Sequence, residues 1–174
     1  MQKAFTNTEV VITGLCNIYT HYITTHEDQL FTLLLPAPVD NQPANSTFGQ
    51  VLEQVHPRYK LGEVASVTFV AGNPRNSGDM VSHYKTFVTV ERFQNNTGTW
   101  VVVHTDASWE TRFHWIKGSG GQSNATVEWH IPLSAQSGTY RIRHFGHYKR
   151  FNIVTPVITA YEGVSDVFRV TKTL

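Results

Sequence analysis

The chain has few of the features that mark disulfide-rich, membrane or nucleic-acid-binding proteins. Cys16 is its one cysteine, which excludes an intrachain disulfide, a thiolate zinc cluster and a Cys-x-x-Cys redox pair. The longest apolar segment, Leu30 to Leu35, is far shorter than the roughly 20 residues that span a bilayer. The first residues lack the apolar region of a signal peptide. Because 14 basic residues face 13 acidic ones, the net charge gives no reason to expect a nucleic-acid partner.

Catalytic motifs are also missing from the sequence. There is no Gly-x-Ser-x-Gly elbow and no glycine-rich phosphate loop, and His26-Glu-Asp-Gln-Leu30 departs from His-Glu-x-x-His at its last position. Nine histidines are present, but His104, His114 and His130 fall at strand ends or on the solvent side of predicted strands. No carboxylate stands near them at a spacing typical of a metal site. We therefore predict exposed strand histidines and no catalytic residue.

What the chain does have is alternation of apolar and polar residues. All four tryptophans lie between Trp100 and Trp129, and in this window large apolar residues recur at every second position. A period of two is typical of β-strands that bury one face. The glycines from Gly118 to Gly121 separate two such runs and favour a turn between them. The pattern predicts a sheet core that contains Trp109, Phe113, Trp115, Trp129 and Tyr140.

Eight short strands separated by turn residues are predicted after residue 46. Their ranges are 64–71, 86–93, 99–104, 109–115, 125–131, 139–145, 157–161 and 167–171. An all-β fold follows, with two antiparallel layers as the economical architecture. Ser137-Gly-Thr-Tyr140 resembles the tyrosine corner of immunoglobulin-like domains, with Ile142 in the place of their second cysteine. We therefore predict an immunoglobulin-like β-sandwich over residues 46–174.

The sequence before this domain has a different composition. Residues 36–45 hold three of the seven prolines and few apolar anchors, which predicts an extended linker. Residues 1–35 contain one β-like run, which cannot form a domain alone, and we expect this piece to be poorly ordered.

Two further patterns bear on partners. Asn45, Asn95 and Asn124 each begin an N-glycosylation sequon, which suits the surface of a secreted protein. A basic stretch could meet lipid head groups or an acidic protein, although a solvated face balanced by nearby acids is the simpler interpretation. Its cationic residues are Arg141, Arg143, Lys149 and Arg150.

Several long segments, taken together, resemble one known family. They are Val11 to Thr25, Ala71 to Asn76, Asp106 to Phe113, Ser123 to Pro132 and Gly138 to His147. All of them are similar to the C-terminal end of neutral ceramidases, secreted or cell-surface zinc amidases that cleave ceramide into sphingosine and a fatty acid. The resemblance implies that residues 46–174 are the family's immunoglobulin-like accessory domain. It also implies that residues 1–35 are the end of the catalytic domain, which would be the partner of the accessory domain.

The same resemblance bears on zinc and on activity. By motif, the second tyrosine of Tyr-Thr-His-Tyr, which is Tyr22 here, is a zinc ligand in the family. The family's histidine and glutamate ligands and its nucleophilic serine lie in segments that this sequence lacks, so we expect no zinc binding and no ceramidase activity from this chain alone. A segment that the family carries after Thr25 is also missing. Two alternatives stay open: an incomplete record of an active ceramidase, and an independent module that binds lipid surfaces.

Overall fold

The structure, a computed structural model, describes residues 39–77, 86–153 and 155–172. Strands dominate these residues, together with a 3-10 helix over Pro74–Ser77. Within the described ranges, no helix is long and apolar enough to cross a bilayer. The ten strands are β1 (Val51–Glu53), β2 (Arg58–Lys60), β3 (Val64–Val70), β4 (Val88–Gln94), β5 (Thr99–Thr105), β6 (Thr111–Lys117), β7 (Ser123–His130), β8 (Gly138–Asn152), β9 (Thr155–Val164) and β10 (Phe168–Thr171).

The strands form two sheets whose order is that of an immunoglobulin-like domain. One sheet has the order β1-β3-β7-β6, and the other has the order β2-β10-β8-β4-β5, with β9 also paired to β8. Every pairing is antiparallel except that of β2 with β10. Strands β1, β3, β7 and β6 take the places of strands A, B, E and D, whereas β4, β8 and β10 take those of C, F and G. The predicted immunoglobulin-like sandwich is confirmed.

The core lies between the sheets and is built by residues of alternating parity. Along β7, Ala125, Val127 and Trp129 are fully buried, while the residues between them are half-exposed. The Trp129 ring packs on Tyr140 and Phe168, with ring centroids 4.9 and 6.2 Å away. The buried cluster consists of Val55, Tyr59, Ala65, Val67, Phe69, Val88, Val90, Val127, Trp129, Ile131, Tyr140, Ile142, Phe168 and Val170.

The tyrosine corner is present at the start of β8. The Tyr140 hydroxyl donates to the backbone carbonyl of Gln136 at 2.5 Å, which is the backward hydrogen bond that defines this feature. Ile142 is fully buried two residues later. This hydrogen bond therefore ties the loop before β8 to the first residues of that strand, where Tyr140 and Ile142 face the core.

One predicted core residue was wrong, and two strands were missed. Trp109 is 71% exposed, because β6 begins only at Thr111 and Trp109 lies in the preceding turn. Hydrogen bonds within that turn hold it, including Thr111 Oγ1 to the Ser108 carbonyl at 2.9 Å. Phe113 and Trp115 are half-buried on the inward face of β6. The strands missed by the sequence analysis, β1 and β2, have three residues each, too few for a periodic pattern to be recognised.

Candidate functional site

A buried polar cluster lies where the described chain enters the sandwich, and we call it the entry cluster: Asp40, Asn73, Asn76 and Lys149. Asp40 is 2% exposed, although it lies within the predicted linker. Its Oδ1 accepts the backbone N–H of Asn73 at 2.8 Å, and its Oδ2 accepts the Asn76 side-chain amide at 2.5 Å and the backbone N–H of Lys149 at 2.9 Å. The Asp40 N–H in turn donates to the Lys149 carbonyl at 2.9 Å. One carboxylate therefore fastens three separate segments together.

A second polar network lies next to the entry cluster, inside the core. His144 Nδ1 is 2.9 Å from the Phe87 carbonyl oxygen, which can only accept, so Nδ1 carries the proton. The Tyr161 hydroxyl, 3.0 Å from His144 Nε2, therefore donates to that nitrogen. The same hydroxyl accepts the N–H of Gly72 at 2.9 Å. These bonds join β8 and β9 to the segments after β3 and before β4.

Burial controls the protonation of both rings in this network. Desolvation lowers the pKa of His144 to about 4, and the contact with the Phe87 carbonyl offsets this only in part. Burial also raises the pKa of Tyr161. Both side chains are therefore neutral near pH 7. The Tyr161 hydroxyl occupies the space that a Cβ at Gly146 would need, so this position of the Gly138 to His147 segment requires glycine.

Two cations of the predicted basic stretch, Arg141 and Arg143, form ion pairs with glutamates. Arg141 Nε donates to Glu91 at 2.6 Å, and its guanidinium lies 4.3 Å from the Trp100 ring centroid. Arg143 bridges Glu91 at 3.0 Å and Glu162 at 2.6 Å. The buried Glu91 contacts both arginines, and Glu162 contacts Arg143 as well. The positive charges on this part of the outer face are therefore balanced by two carboxylates. The acids come from β4 and β9, strands that only the folded sheet places beside β8.

The two remaining cations of that stretch are also held near other side chains. Lys149 is 9% exposed, and its Nζ lies 5.9 Å from the Phe151 ring centroid. The Arg150 guanidinium lies 5.4 Å from Phe48 and 5.2 Å from Tyr148. Lipid binding through the basic stretch stays a prediction, and the pairing of Arg141 and Arg143 with acids weakens it.

The strand histidines contact carboxylates that were not recognised from the sequence. His104 lies 3.4 Å from Glu110, while His114 and His130 lie 3.5 and 3.6 Å from the same oxygen of Glu128. The contact of His104 with Glu110 spans a turn, and that of His114 with Glu128 crosses from β6 to β7, so spacing along the chain does not reveal these two. His130 and Glu128 are two positions apart on β7, on the same face of the strand.

These contacts do not form a zinc site. Arg112 Nε donates to His130 Nε2 at 3.1 Å, which occupies the lone pair that a metal would need and places a cation there. In the described ranges, no group of three or more His, Cys, Asp or Glu side chains could hold a metal ion. Tyr22, the zinc ligand implied by the resemblance, lies outside the described residues. The described residues therefore do not fit the metal of the resembled family.

The three sequons differ in their surroundings. Asn45 and Asn95 are exposed in turns, and Asn45 has a left-handed φ of 62°. Asn124 is half-buried on β7, between its partners Val70 and Ile116 on the neighbouring strands. The first two asparagines could accept a glycan without disturbing a strand. Glycosylation at all three sites stays a prediction.

The residues that the sequence analysis missed are those of the two polar networks. The sequence could have indicated that His144 is buried, because His144 lies an even number of residues from Tyr140 and Ile142 and so faces inward with them along β8. It could not have indicated the contacts of Asp40, since the partners of Asp40 lie 33, 36 and 109 residues further along the chain. What these networks do chemically is fix backbone segments in place.

The chain is similar to known ceramidases in both sequence and structure. Residues 21–170 match the family described as neutral/alkaline non-lysosomal ceramidase, C-terminal. Neutral ceramidase of Drosophila pseudoobscura pseudoobscura is 32% identical over 94% of this chain and 30% of its own length. Neutral ceramidase 3 of Arabidopsis thaliana is 38% identical over 79% of this chain and 19% of its own length. This chain therefore corresponds to less than a third of these relatives.

Two solved structures share the fold described above. One is described as a ceramidase complexed with C2, with a TM-score of 0.71 at 32% identity, covering 80% of this chain and 21% of that one. The other is neutral ceramidase from Pseudomonas aeruginosa, with a TM-score of 0.70 at 32% identity, covering 80% and 22%. The match to the Drosophila pseudoobscura pseudoobscura protein spans 215 positions and yet involves 94% of only 174 residues. Some positions of that relative therefore have no counterpart here. A missing segment after Thr25 stays a prediction.

Proposed function

This chain belongs to the neutral/alkaline non-lysosomal ceramidase family, and from that premise we propose that it is the family's accessory domain, which binds a catalytic portion and has no ceramidase activity by itself. The observation that supports this proposal is the set of partners to which the buried polar networks are hydrogen-bonded. The hydrogen bonds of these networks, made by Asp40, His144 and Tyr161, join the entering chain, β8 and β9 to one another. All of these partners belong to the chain itself. Such a sandwich is suited to positioning a neighbouring domain.

Ceramide hydrolysis makes demands that these residues do not meet. A zinc ion in the catalytic portion would polarise the amide carbonyl of ceramide and supply or position the nucleophile. Among the described residues, the most buried histidine is His144, and both of its ring nitrogens are hydrogen-bonded, to Phe87 and to Tyr161. It can therefore neither take a proton from a nucleophile nor bind a substrate without breaking the core. Sphingolipid turnover and zinc dependence are accordingly assigned to the parent enzyme.

Turnover and metal content of the purified full chain test this proposal. We expect sphingosine release from ceramide, with zinc added, to equal that of a heat-denatured control. We also expect bound zinc after dialysis to stay well below one ion per chain. Turnover above the control, or stoichiometric zinc, would contradict the inactive assignment and favour the alternative of an active enzyme. Full-length Drosophila melanogaster neutral ceramidase, 31% identical over 94% of this chain, serves as the positive control.

A further inference from the structure

One part of the described structure with several exposed apolar residues is a two-stranded arm formed by residues 145–152 of β8 and 155–162 of β9. Strands β10 and β4 pair with β8 only as far as His144. Pairing with β9 continues to Asn152, which faces Thr155. From residue 145 onward, therefore, β8 pairs with β9 and with no other described strand. We call this extension the β8–β9 arm.

Apolar side chains gather on one face of the β8–β9 arm and at its tip. Phe151 pairs with Pro156, and two positions away Lys149 pairs with Ile158, so Phe151, Pro156 and Ile158 share a face. Phe151 is 54% exposed and Ile158 39%, while Ile153 at the tip is 93% exposed. Leaving this much apolar surface in water is unfavourable, by about 25 cal/mol for each Å² that a partner could cover. Contiguous apolar surface of this kind is typical of a binding site.

The backbone at the tip gives a second, independent indication. Ile153 has a φ of 60°, a left-handed conformation that is unfavourable for a β-branched residue and that glycine adopts freely. An isoleucine in a position suited to glycine disfavours folding of the isolated domain. Its side chain is nevertheless held out at the tip, which is what a contact with a partner would require.

The outer edge of β9 offers hydrogen bonds as well as apolar surface. In the described part of the chain, β9 pairs with β8 alone, and no other backbone hydrogen bond reaches residues 155–160. These residues carry no charge to discourage strand addition, and Pro156, which has no N–H, can take part only through its carbonyl. An edge of this kind can accept an extended segment of another polypeptide, with main-chain bonds supplying affinity and side chains supplying specificity.

The path of the preceding polypeptide indicates which partner meets the β8–β9 arm. The entering chain is bonded to the arm itself, because Asp40 exchanges two hydrogen bonds with the backbone of Lys149. In the Drosophila relatives, the matched part is 30% of the protein, and the matching family is defined as C-terminal. The larger remaining part precedes this domain in them, and its connection reaches the sandwich beside the arm.

We propose that the β8–β9 arm is the surface on which a neutral ceramidase catalytic portion docks, through the apolar face, the tip at Ile153 and the free edge of β9. This inference rests on the proposed accessory function and specifies its contact surface. The partner must present an apolar patch and an extended segment able to pair with residues 155–160.

A chimeric enzyme tests this surface. Residues 39–174 would replace the matching C-terminal part of full-length Drosophila melanogaster neutral ceramidase, and thermal unfolding of the chimera would be compared with that of the isolated full chain. The variant F151S/I153G/I158T removes the exposed side chains, and Ile153→Gly also suits the backbone at the tip. We expect it to lower Tm of the chimera by about 5 °C or more while changing Tm of the isolated chain much less. The matched control is Leu133→Ser, which alters a residue that is 78% exposed in the loop after β7 and should change neither Tm.

Other results would contradict either the docking surface, the accessory function or the choice of partner. Equal loss of Tm in the chimera and the isolated chain would overturn the docking surface but leave the accessory function intact, provided that sandwich and enzyme still unfold in one transition. A wild-type sandwich that unfolds in the chimera at the Tm of the isolated chain would overturn the accessory function itself. A dimer of the isolated chain that the arm variant dissociates would assign the arm to a second copy. Flotation with phosphatidylcholine vesicles that the arm variant abolishes would assign it to lipid.

Discussion

Replacing Asp40 with alanine is expected to lower the free energy of unfolding by about 3 kcal/mol or more. The carboxylate is buried and accepts three hydrogen bonds, from Asn73, Asn76 and Lys149. Its removal leaves these donors without their acceptor in a site closed to bulk water, and hydrogen bonds to a charged group contribute about 1.5 to 3 kcal/mol each. Urea unfolding followed by tryptophan fluorescence measures the difference.

The matched control for this prediction is Asp166→Ala. The Asp166 side chain is exposed, and substitutions of that kind usually change stability by less than about 0.5 kcal/mol. A double-mutant cycle with Asn76→Ala should show coupling between Asp40 and Asn76, because the two side chains contact each other directly. A loss below about 1 kcal/mol for Asp40→Ala would show that the carboxylate does not fasten the entering chain.

Stability is expected to fall between pH 6.5 and pH 4, with His144 as a main cause. Its pKa is about 4 in the folded protein against 6.5 when unfolded, so the unfolded chain takes up a proton in this range and the folded chain does not. The stabilisation is present in full above pH 6.5 and is lost as the pH falls towards 4. The slope for one such group is about 1.4 kcal/mol per pH unit. Urea unfolding at several pH values measures it.

The variant His144→Gln isolates this contribution. Glutamine does not titrate, so the variant should be less stable at neutral pH yet show a shallower slope between pH 6.5 and 4 than the wild-type chain. Burial also lowers the pKa of His147, so His147→Gln is the necessary comparison and should remove a smaller part of the slope. Equal slopes for the wild-type chain and His144→Gln would contradict a neutral, buried His144.

The strands could be predicted because their pattern is local. Alternation along β7 placed Val127 and Trp129 correctly, and the short motif around Tyr140 indicated both the fold and a specific hydrogen bond. Trp109 shows where this reasoning fails. It shares the parity of Phe113 and Trp115, but parity has meaning only inside a strand, and β6 begins two residues later.

The polar networks could not be predicted, because their partners are distant in sequence. A lone aspartate in a proline-rich segment carries no sign that it will accept three hydrogen bonds from two distant segments of the chain. The acids that balance the basic stretch could not be named from the sequence for the same reason: Glu91 and Glu162 contact Arg143 only after β4 and β9 pair with β8. Periodicity reports which face a residue lies on, whereas charge balance and hydrogen bonding depend on which strands become neighbours.

Hydrogen–deuterium exchange tests most directly the claim that this sandwich is an accessory domain held on a catalytic portion. The N–H groups of residues 155–160 that face away from β8 would be followed in the isolated full chain and in the chimera with Drosophila melanogaster neutral ceramidase; Pro156 has no N–H, and alternate residues donate to β8. The account predicts fast exchange at this free edge in the isolated chain and at least tenfold slower exchange in the chimera. Buried amides of β7 would provide the internal reference. Equal exchange of these outward-facing amides in the two proteins would contradict it.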